Sequence, residues 1–289
     1  MSNKILCIGL NTVDIQFLVE AFPEANKKQK AKRNQIHVGG PATNAAIAAA
    51  HLGSQVTLVS PVGKNTLTEF IQKDIEHHHV NLIDALKETP ADPVFASIIT
   101  TEHSGERSIV SYHPPKIAVK NFMAHNIQFD FDIALFDGFY PELAIPLAKK
   151  CRELGIPTCF DGGSWKPGLD ELLGYIDFAL CSDDFYPPEC SSKRDIFQFL
   201  NEKGCKEIAI TQGHKEIIYK QDRSIETIDV TEVDVVDTLG AGDIFHGAFC
   251  HFFKPDRTFK KIIVQASEIA SHSCKYFGTR DWMKANDDI

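Results

Sequence analysis

Between an apolar strand-like run and an apolar helix-like run lies Asp237-Thr238-Leu239-Gly240-Ala241-Gly242-Asp243. Small residues here let the backbone turn tightly and bring several N–H groups close to a ligand. Ile244, Phe245, Ala248, Phe249 and Phe252 then recur at helical spacing, so the turn opens a helix. A helix N-terminus offers unpaired N–H donors and a positive dipole end, and both suit a phosphate. Asp243 falls in the first turn, where a carboxylate makes sense if it takes the proton of a hydroxyl that attacks the phosphate. The helix dipole is expected to keep it ionised at neutral pH. The chemistry so spelled is phosphoryl transfer; the bland alternative is a capped helix start, with Asp237 or Thr238 as the cap.

A second constellation stands in the N-terminal half: Gly39-Gly40-Pro41-Ala42-Thr43-Asn44, followed by an alanine-rich stretch to Ala50. Pro41 suits the first position of a helix, where its missing N–H would be unpaired anyway. The paired glycines leave room for a ligand against the backbone. Asn44 then faces outward from the first turn with an amide donor pair and an acceptor, a suitable reader of vicinal hydroxyls, although capping would also account for it. Asp14 follows the first strand by a few residues, so its carboxylate belongs at the same edge. A carboxylate and an amide converging from two strand ends suit a polyol.

The elements that must position these groups alternate along the chain. Residues 5–9, 55–60, 133–136, 158–160, 178–181 and 207–211 are short apolar runs, as buried parallel strands should be. Residues 41–51, 66–78, 141–154, 193–203 and 240–253 have helical apolar spacing. This is the rhythm of βαβ units and a mostly parallel sheet with helices on both faces, whose ligands sit beyond the carboxyl ends of the strands. Two regions break it. Residues 14–38 and 93–113 each hold a pair of strand-like pieces without a following helix, which suggests a small extra sheet that covers the site as a lid. With no linker and no repeat in view, residues 1–289 read as one domain.

Composition narrows the partners. A formal net charge of -9 repels nucleic acid and anionic membranes at long range. The basic run Lys27 to Arg33 is short and fits a solvated loop. Eight cysteines occur with no C-x-x-C spacing, several of them in apolar runs, which fits reduced buried thiols. With neither a signal-peptide layout nor a run of membrane-spanning length, the expectation is a cytoplasmic protein. His77-His78-His79 fits a polar helix end better than a metal site, since adjacent histidines on a helix diverge. Gly63-Lys64-Asn65 lacks the upstream glycine and the Ser/Thr of a P-loop, and Gly9-Leu10-Asn11-Thr12 is no dinucleotide turn.

Taken in order, Asp14, Gly39-Gly40 with Asn44, and Asp237 to Asp243 resemble the ribokinase-like, or phosphofructokinase-B, carbohydrate kinases over nearly the whole chain. The spelling of the last motif, with Ser104-Gly105-Glu106-Arg107, looks most like the ketohexokinase (fructokinase) branch. The resemblance implies a three-layer α/β/α fold with a mostly parallel central sheet and a small β lid that mediates homodimerisation. It implies ATP as donor with Mg²⁺ on its phosphates, and in some members a monovalent cation such as K⁺. Position by position, Asp243 resembles the catalytic base, and Gly240, Ala241 and Gly242 the anion hole. Asp14, Gly39, Gly40 and Asn44 resemble the sugar contacts, Arg107 a lid arginine that approaches the phosphates, and Thr211 and Gly213 the T-x-G of the nucleotide side. A surface ion pair would also explain Arg107.

The chain departs from the pattern in three places. Ser182-Asp183-Asp184-Phe185 replaces N-x-x-E, Glu216 stands where a second glycine often follows T-x-G, and Thr12 stands where ribose-using relatives tend to have Asn. The expected activity is transfer of the γ-phosphoryl group of ATP to a ketohexose such as fructose. The alternatives are ribose, a nucleoside or another small alcohol, with Phe17, Phe95 or Tyr112 as stacking surfaces, or a non-catalytic sensor on the same fold.

Overall fold

Short runs of Val, Ile, Leu and Cys can be buried on both faces only if their hydrogen bonds are completed by neighbours on each side. In the computed structural model, which describes residues 2–115, 119, 122, 127–221 and 224–285, they meet that demand in one nine-stranded sheet. Numbered in chain order, its strands are β1 (Lys4–Ile8), β4 (Gln55–Ser60), β5 (Val80–Asp84), β8 (Ile133–Phe136), β9 (Thr158–Gly162), β10 (Phe178–Ser182), β11 (Glu207–Thr211), β12 (Ile217–Gln221) and β13 (Ser224–Ile228). The order across the sheet is β13-β12-β11-β10-β9-β8-β1-β4-β5, parallel throughout except for the β11–β12 and β12–β13 pairs. The chain runs outward from β1 to β4 and β5, then returns to the other side of β1 through β8. The direction of winding therefore reverses between β1 and β8, and the crevice beyond their carboxyl ends is where ligands sit in such sheets.

Helices cover both faces. Alternate residues of β1 show the division: Ile5 and Cys7 pack with α1 (Pro41–His51), α2 (Thr68–His77), α6 (Ala241–Phe252) and α7 (Phe259–Ser273). Leu6 and Ile8 pack with α3 (Pro141–Glu153), α4 (Leu169–Leu173) and α5 (Lys193–Glu202). This is the three-layer α/β/α arrangement expected. The eight cysteines are all free, and all but Cys190 are buried.

β5, β12, β13, α4 and α7 add to the elements expected from the sequence. β5 is a half-buried edge strand with polar residues, and α4 is only one turn long, so neither leaves a periodic trace. α7, with Phe259, Ile262, Ile263, Ala266 and Ile269 at helical spacing, was legible from periodicity.

The two irregular regions do not form separate hairpins. β2 (Thr12–Val19), β3 (Arg33–Gly39), β6 (Phe95–Thr101) and β7 (Arg107–Tyr112) join in one four-stranded sheet of order β3-β2-β6-β7. Register assigns its faces, since side chains alternate along a strand. Asp14, Gln16, His37 and Arg107 share one face; Ile15, Phe17, Ile36, Phe95, Val110 and Tyr112 share the other. Phe17, Phe95 and Tyr112 therefore project away from Asp14, and the stacking role considered for them fails by the two-residue period alone.

Candidate active site

The carboxyl ends of β1 and β8 are tied together by Asp137, which is 2% exposed. It accepts the N–H groups of Leu10 at 2.7 Å, Phe139 at 3.0 Å and Ala42 at 3.2 Å, so one carboxylate sets the turns after β1 and β8 and the start of α1. Gly9 makes room for it: a Cβ there would lie 2.1 Å from the carboxylate. Burial pushes Asp137 up to about 6, against the pull of those N–H groups. Sequence reading missed this residue, although a carboxylate directly after an apolar strand is the same signal that singled out Asp14.

The residues expected to hold the acceptor lie beside this knot. Asp14 is buried on β2, accepts the Thr12 hydroxyl, and faces His37 across the β2–β3 pairing, with His37 Nε2 4.0 Å from Asp14 Oδ2. Burial pushes Asp14 up to about 6, while Thr12 and the charge of Arg280 pull it down. Gly39 leaves the space its carboxylate occupies, since a Cβ there would come within 1.9 Å of Asp14 Oδ2. Gly40, at φ 96°, makes the turn into α1, and a side chain there would collide with the Leu10 carbonyl at 2.5 Å. Pro41 is the first residue of α1, as its type demands.

On the opposite wall, Gly240 adopts φ 69° and starts α6 in the left-handed region. Ala241 N–H is turned to the Thr238 carbonyl at 3.3 Å; the N–H groups of Gly240, Gly242 and Asp243 have no acceptor among the described residues. Of the expected anion-hole residues, Gly240 and Gly242 thus keep free N–H groups, Ala241 does not, and Asp243 adds one. Gly242 is exposed, and a Cβ built on it would meet nothing within 4 Å, so the turn faces open space.

α1 and α6 cross closely because Gly247 has no side chain: a Cβ there would lie 2.2 Å from the Ala45 carbonyl. Beside the crossing, Asn44, which directly precedes Ala45, donates through Nδ2 to Oδ2 of Asp243, one turn before Gly247, at 2.7 Å, while Asn44 Oδ1 is buried without a partner. Sequence spacing brought Asn44 and Asp243 to one crevice, but only the Gly247–Ala45 contact brings them to one hydrogen bond. Asp243 is pushed up to about 7, by burial first and then by the charge of Asp161, with Asn44 and His246 pulling the other way. These effects outweigh the helix dipole that was expected to hold it fully ionised.

Asp161, at the end of β9, is a second carboxylate missed from the sequence. It is 7% exposed, and its Oδ2 has no hydrogen bond although it lies 3.5 Å from His246 Nδ1. His246 sits with Nδ1 2.6 Å from the Gly242 carbonyl and Nε2 3.0 Å from that of Leu180, pinning α6 to β10.

The remaining expected residues are more dispersed. Arg107 donates to the Thr238 hydroxyl, so it meets the loop that leads into Gly240 rather than Asp14 or Asn44. Thr211 ends β11 with its hydroxyl 3.4 Å from the Cys181 carbonyl, and Gly213 turns at φ 65° just beyond it. In the stretch that replaces N-x-x-E, Asp183 is paired with Lys193, and Asp184 has no ion pair among the described residues. No group of three or more His, Cys, Asp or Glu side chains among the described residues could by itself hold a metal. Asp161 Oδ2, buried without a hydrogen bond, is an oxygen donor of the kind that would suit a hydrated divalent cation.

Residues 2–286 match the profile of the pfkB family carbohydrate kinases. A ribokinase of Staphylococcus aureus is 26% identical over 263 residues, covering 86% of each chain. A fructosamine kinase of Bacillus subtilis is 23% identical over 283 residues, covering 95% of this chain and 92% of its own. The structure of an Arabidopsis thaliana ribokinase complexed with ribose and ATP superposes with a TM-score of 0.73 at 21% identity, covering 98% of both chains. With a carboxylate, an amide and a row of unpaired N–H groups converging where that fold places its crevice, and the family profile spanning the chain, this protein belongs to the pfkB family of carbohydrate kinases and is a phosphotransferase.

Proposed function

We propose that the enzyme transfers the γ-phosphoryl group of ATP to a hydroxyl of a small sugar, and we place ribose ahead of a ketohexose such as fructose. The observation that carries the phosphoryl-transfer reading is the 2.7 Å bond from Asn44 to Asp243, which joins the hydroxyl-reading amide to the carboxylate at the anion turn. Support for ribose comes from relatives named ribokinases, one of them solved with ribose and ATP. The spelling that suggested fructose concerns residues 237–243, which form the phosphate turn, and residues 104–107 at the β6–β7 turn, which touch residues 236 and 238; neither stretch is the acceptor wall of Asp14 and Asn44.

Acceptor hydroxyls donate to Asp14 and to the unpartnered Asn44 Oδ1, which holds the reacting hydroxyl at Asp243. Asp243 takes its proton as the oxygen attacks, and the N–H groups of Gly240, Gly242 and Asp243 meet the charge on the moving phosphoryl oxygens. The transition state of such transfers is loose, so the protein contributes mainly alignment and fixed dipoles. Mg²⁺ arriving with ATP would neutralise phosphate charge, and Asp161 and Asp184 would meet its hydration shell. Thr211 and Gly213 would line the nucleotide side.

A panel of ribose, deoxyribose, fructose, fructosamine and adenosine, assayed by ADP release, tests this reading. Ribose should give the highest kcat/KM; preference for fructose would restore the ketohexose reading, and no turnover with any acceptor would favour a sensor.

The four-stranded sheet serves, in this proposal, as a lid whose inner face carries Asp14. Its outer face is apolar and open, with Ile36 54%, Val110 72% and Tyr112 59% exposed. Exposure on that scale favours a second copy of this chain as its cover. Val110→Lys should turn a dimer into a monomer in light scattering; a parent protein that is already monomeric would remove this part of the proposal.

A further inference from the structure

Arg280 lies beyond α7 and is 7% exposed. Its guanidinium donates to the Val38 carbonyl at 2.7 Å, the Thr279 hydroxyl at 2.9 Å and the Thr279 carbonyl at 3.2 Å. All three acceptors are neutral. Its Nε–H is buried without a partner, and no carboxylate among the described residues lies within ion-pair distance of it. A buried cation held by neutral oxygens alone is costly, so charges further off must offset it.

The largest of those charges is Asp74 on α2, which accepts the Val38 N–H at 2.9 Å; the two carboxylates of the site, Asp14 on β2 and Asp243 on α6, also favour the charged guanidinium, and Arg280 in turn favours the ionised form of Asp14. Of the other titratable groups on the neighbouring elements, the two histidines bring no competing positive charge, and Arg33 and Lys284 are paired. His37 on β3 is pushed down to about 3, and His78 at the end of α2 to about 4, by burial and by Arg280 itself. Asp281 is engaged by Arg33 and Lys284.

The backbone geometry points the same way. Thr279 is fully buried, its hydroxyl 3.1 Å from His37 Nε2, and its methyl would lie 2.6 Å from a Cβ on Gly240. Asp237 accepts the Gly278 N–H at 2.9 Å and also the Gln16 amide. The stretch Gly278-Thr279-Arg280 therefore touches the residue before Gly39-Gly40, the partner of Asp14 across β3, and the first residue of the anion turn.

We propose that Arg280 is a positioning residue for the acceptor, whose buried fork fixes β3 just ahead of Gly39-Gly40 and whose charge is set behind the carboxylate of Asp14. Arg280 acts through Asp14 and Val38. The proposal rests on the kinase reading above for its kinetic consequences, but not for its electrostatic one.

The test compares Arg280→Gln and Arg280→Lys with the parent by carboxyl ¹³C NMR titration of Asp14 in the ligand-free protein and by steady-state kinetics across pH. In Arg280→Gln the Asp14 midpoint should move up by roughly one pH unit, and kcat/KM for the acceptor at about pH 6 should be about fivefold below that of the parent at the same pH, the difference closing by about pH 8, where Asp14 is ionised in both. Arg280→Lys keeps the charge but not the fork, so the midpoint should stay while the acceptor KM rises severalfold and the ATP KM does not. An unmoved Asp14 midpoint in Arg280→Gln overturns the proposal. So does an Arg280→Lys variant whose ATP KM rises as much as its acceptor KM, a result readable even if Arg280→Gln does not fold. The titration needs no substrate, so it judges Arg280 even if the parent phosphorylates no sugar offered, which would count against the kinase reading instead.

Discussion

Asp243→Asn should still bind ATP and should lose about 10²–10⁴-fold in kcat, the usual contribution of a positioned base. The amide keeps the size of the carboxylate and can still accept from Asn44 Nδ2, so the crossing of α1 and α6 survives and only proton transfer is removed. Two further measurements separate this outcome from damage to the fold. The first is the pH profile of the parent. A general base acts in its ionised form, and burial with the charge of Asp161 pushes Asp243 up to about 7, so kcat should be at its plateau above that value and fall as pH drops through it. The second is stability. Between the ordinary carboxylate range and about 7, the native state holds a proton that the unfolded chain has released. Stability contributed by this group is therefore lost as pH rises through that window, and the ionised base is a burden at alkaline pH. Removing the charge should raise the stability of Asp243→Asn at about pH 8 by roughly 1–3 kcal/mol over the parent, with little difference at about pH 4. A variant that is inactive and less stable at both pH values would mean that the substitution broke the site; one that is fully active would remove Asp243 from the role of base.

The division between what the sequence showed and what it hid follows from which forces act locally. Strands buried on both faces and helices with one apolar stripe leave periodic traces, so the three layers and the strand pairs of the small sheet were legible. So were the two turns, because Gly240 and Gly40 occupy positive φ and Pro41 a helix start, and those conformations select their residues one at a time. What stayed hidden depends on distant contacts. Asp137 and Asp161 matter because of what the strand order puts beside them, and nothing in their neighbours announces that order. Gly247 looks like a weak point inside a helix until Ala45 is found against it. Arg280 lies 266 residues from Asp14 in the numbering, and no local pattern joins them. The ionisation of Asp243 was misjudged for the same reason: the dipole of its own helix is local, whereas burial and Asp161 are not.

Gly39→Ala should lower kcat/KM for the acceptor about 10²-fold, the scale expected when a binding group is displaced by about 1 Å, and leave the ATP KM almost unchanged. Gly39 is not at positive φ, so alanine can adopt its backbone conformation without strain. The new methyl instead meets a side chain: its Cβ would stand 1.9 Å from Asp14 Oδ2 and 2.6 Å from the carboxyl carbon, closer than any real contact. Of the two, the carboxylate must give way, because Gly39 pairs with Thr12 at the end of β3 while Asp14 can turn about its side-chain bonds. Turning it breaks the bond from Thr12 and moves the carboxylate from the place where it faces His37. Gly40→Ala supplies the control, since there the clash is with the Leu10 backbone carbonyl at 2.5 Å and φ is 96°. That variant should lose melting temperature and both substrate affinities together, whereas Gly39→Ala should melt close to the parent. Acceptor kinetics that survive Gly39→Ala intact would mean that Asp14 does not hold the sugar, and the acceptor would then have to be sought on the Asn44 side of the crevice alone.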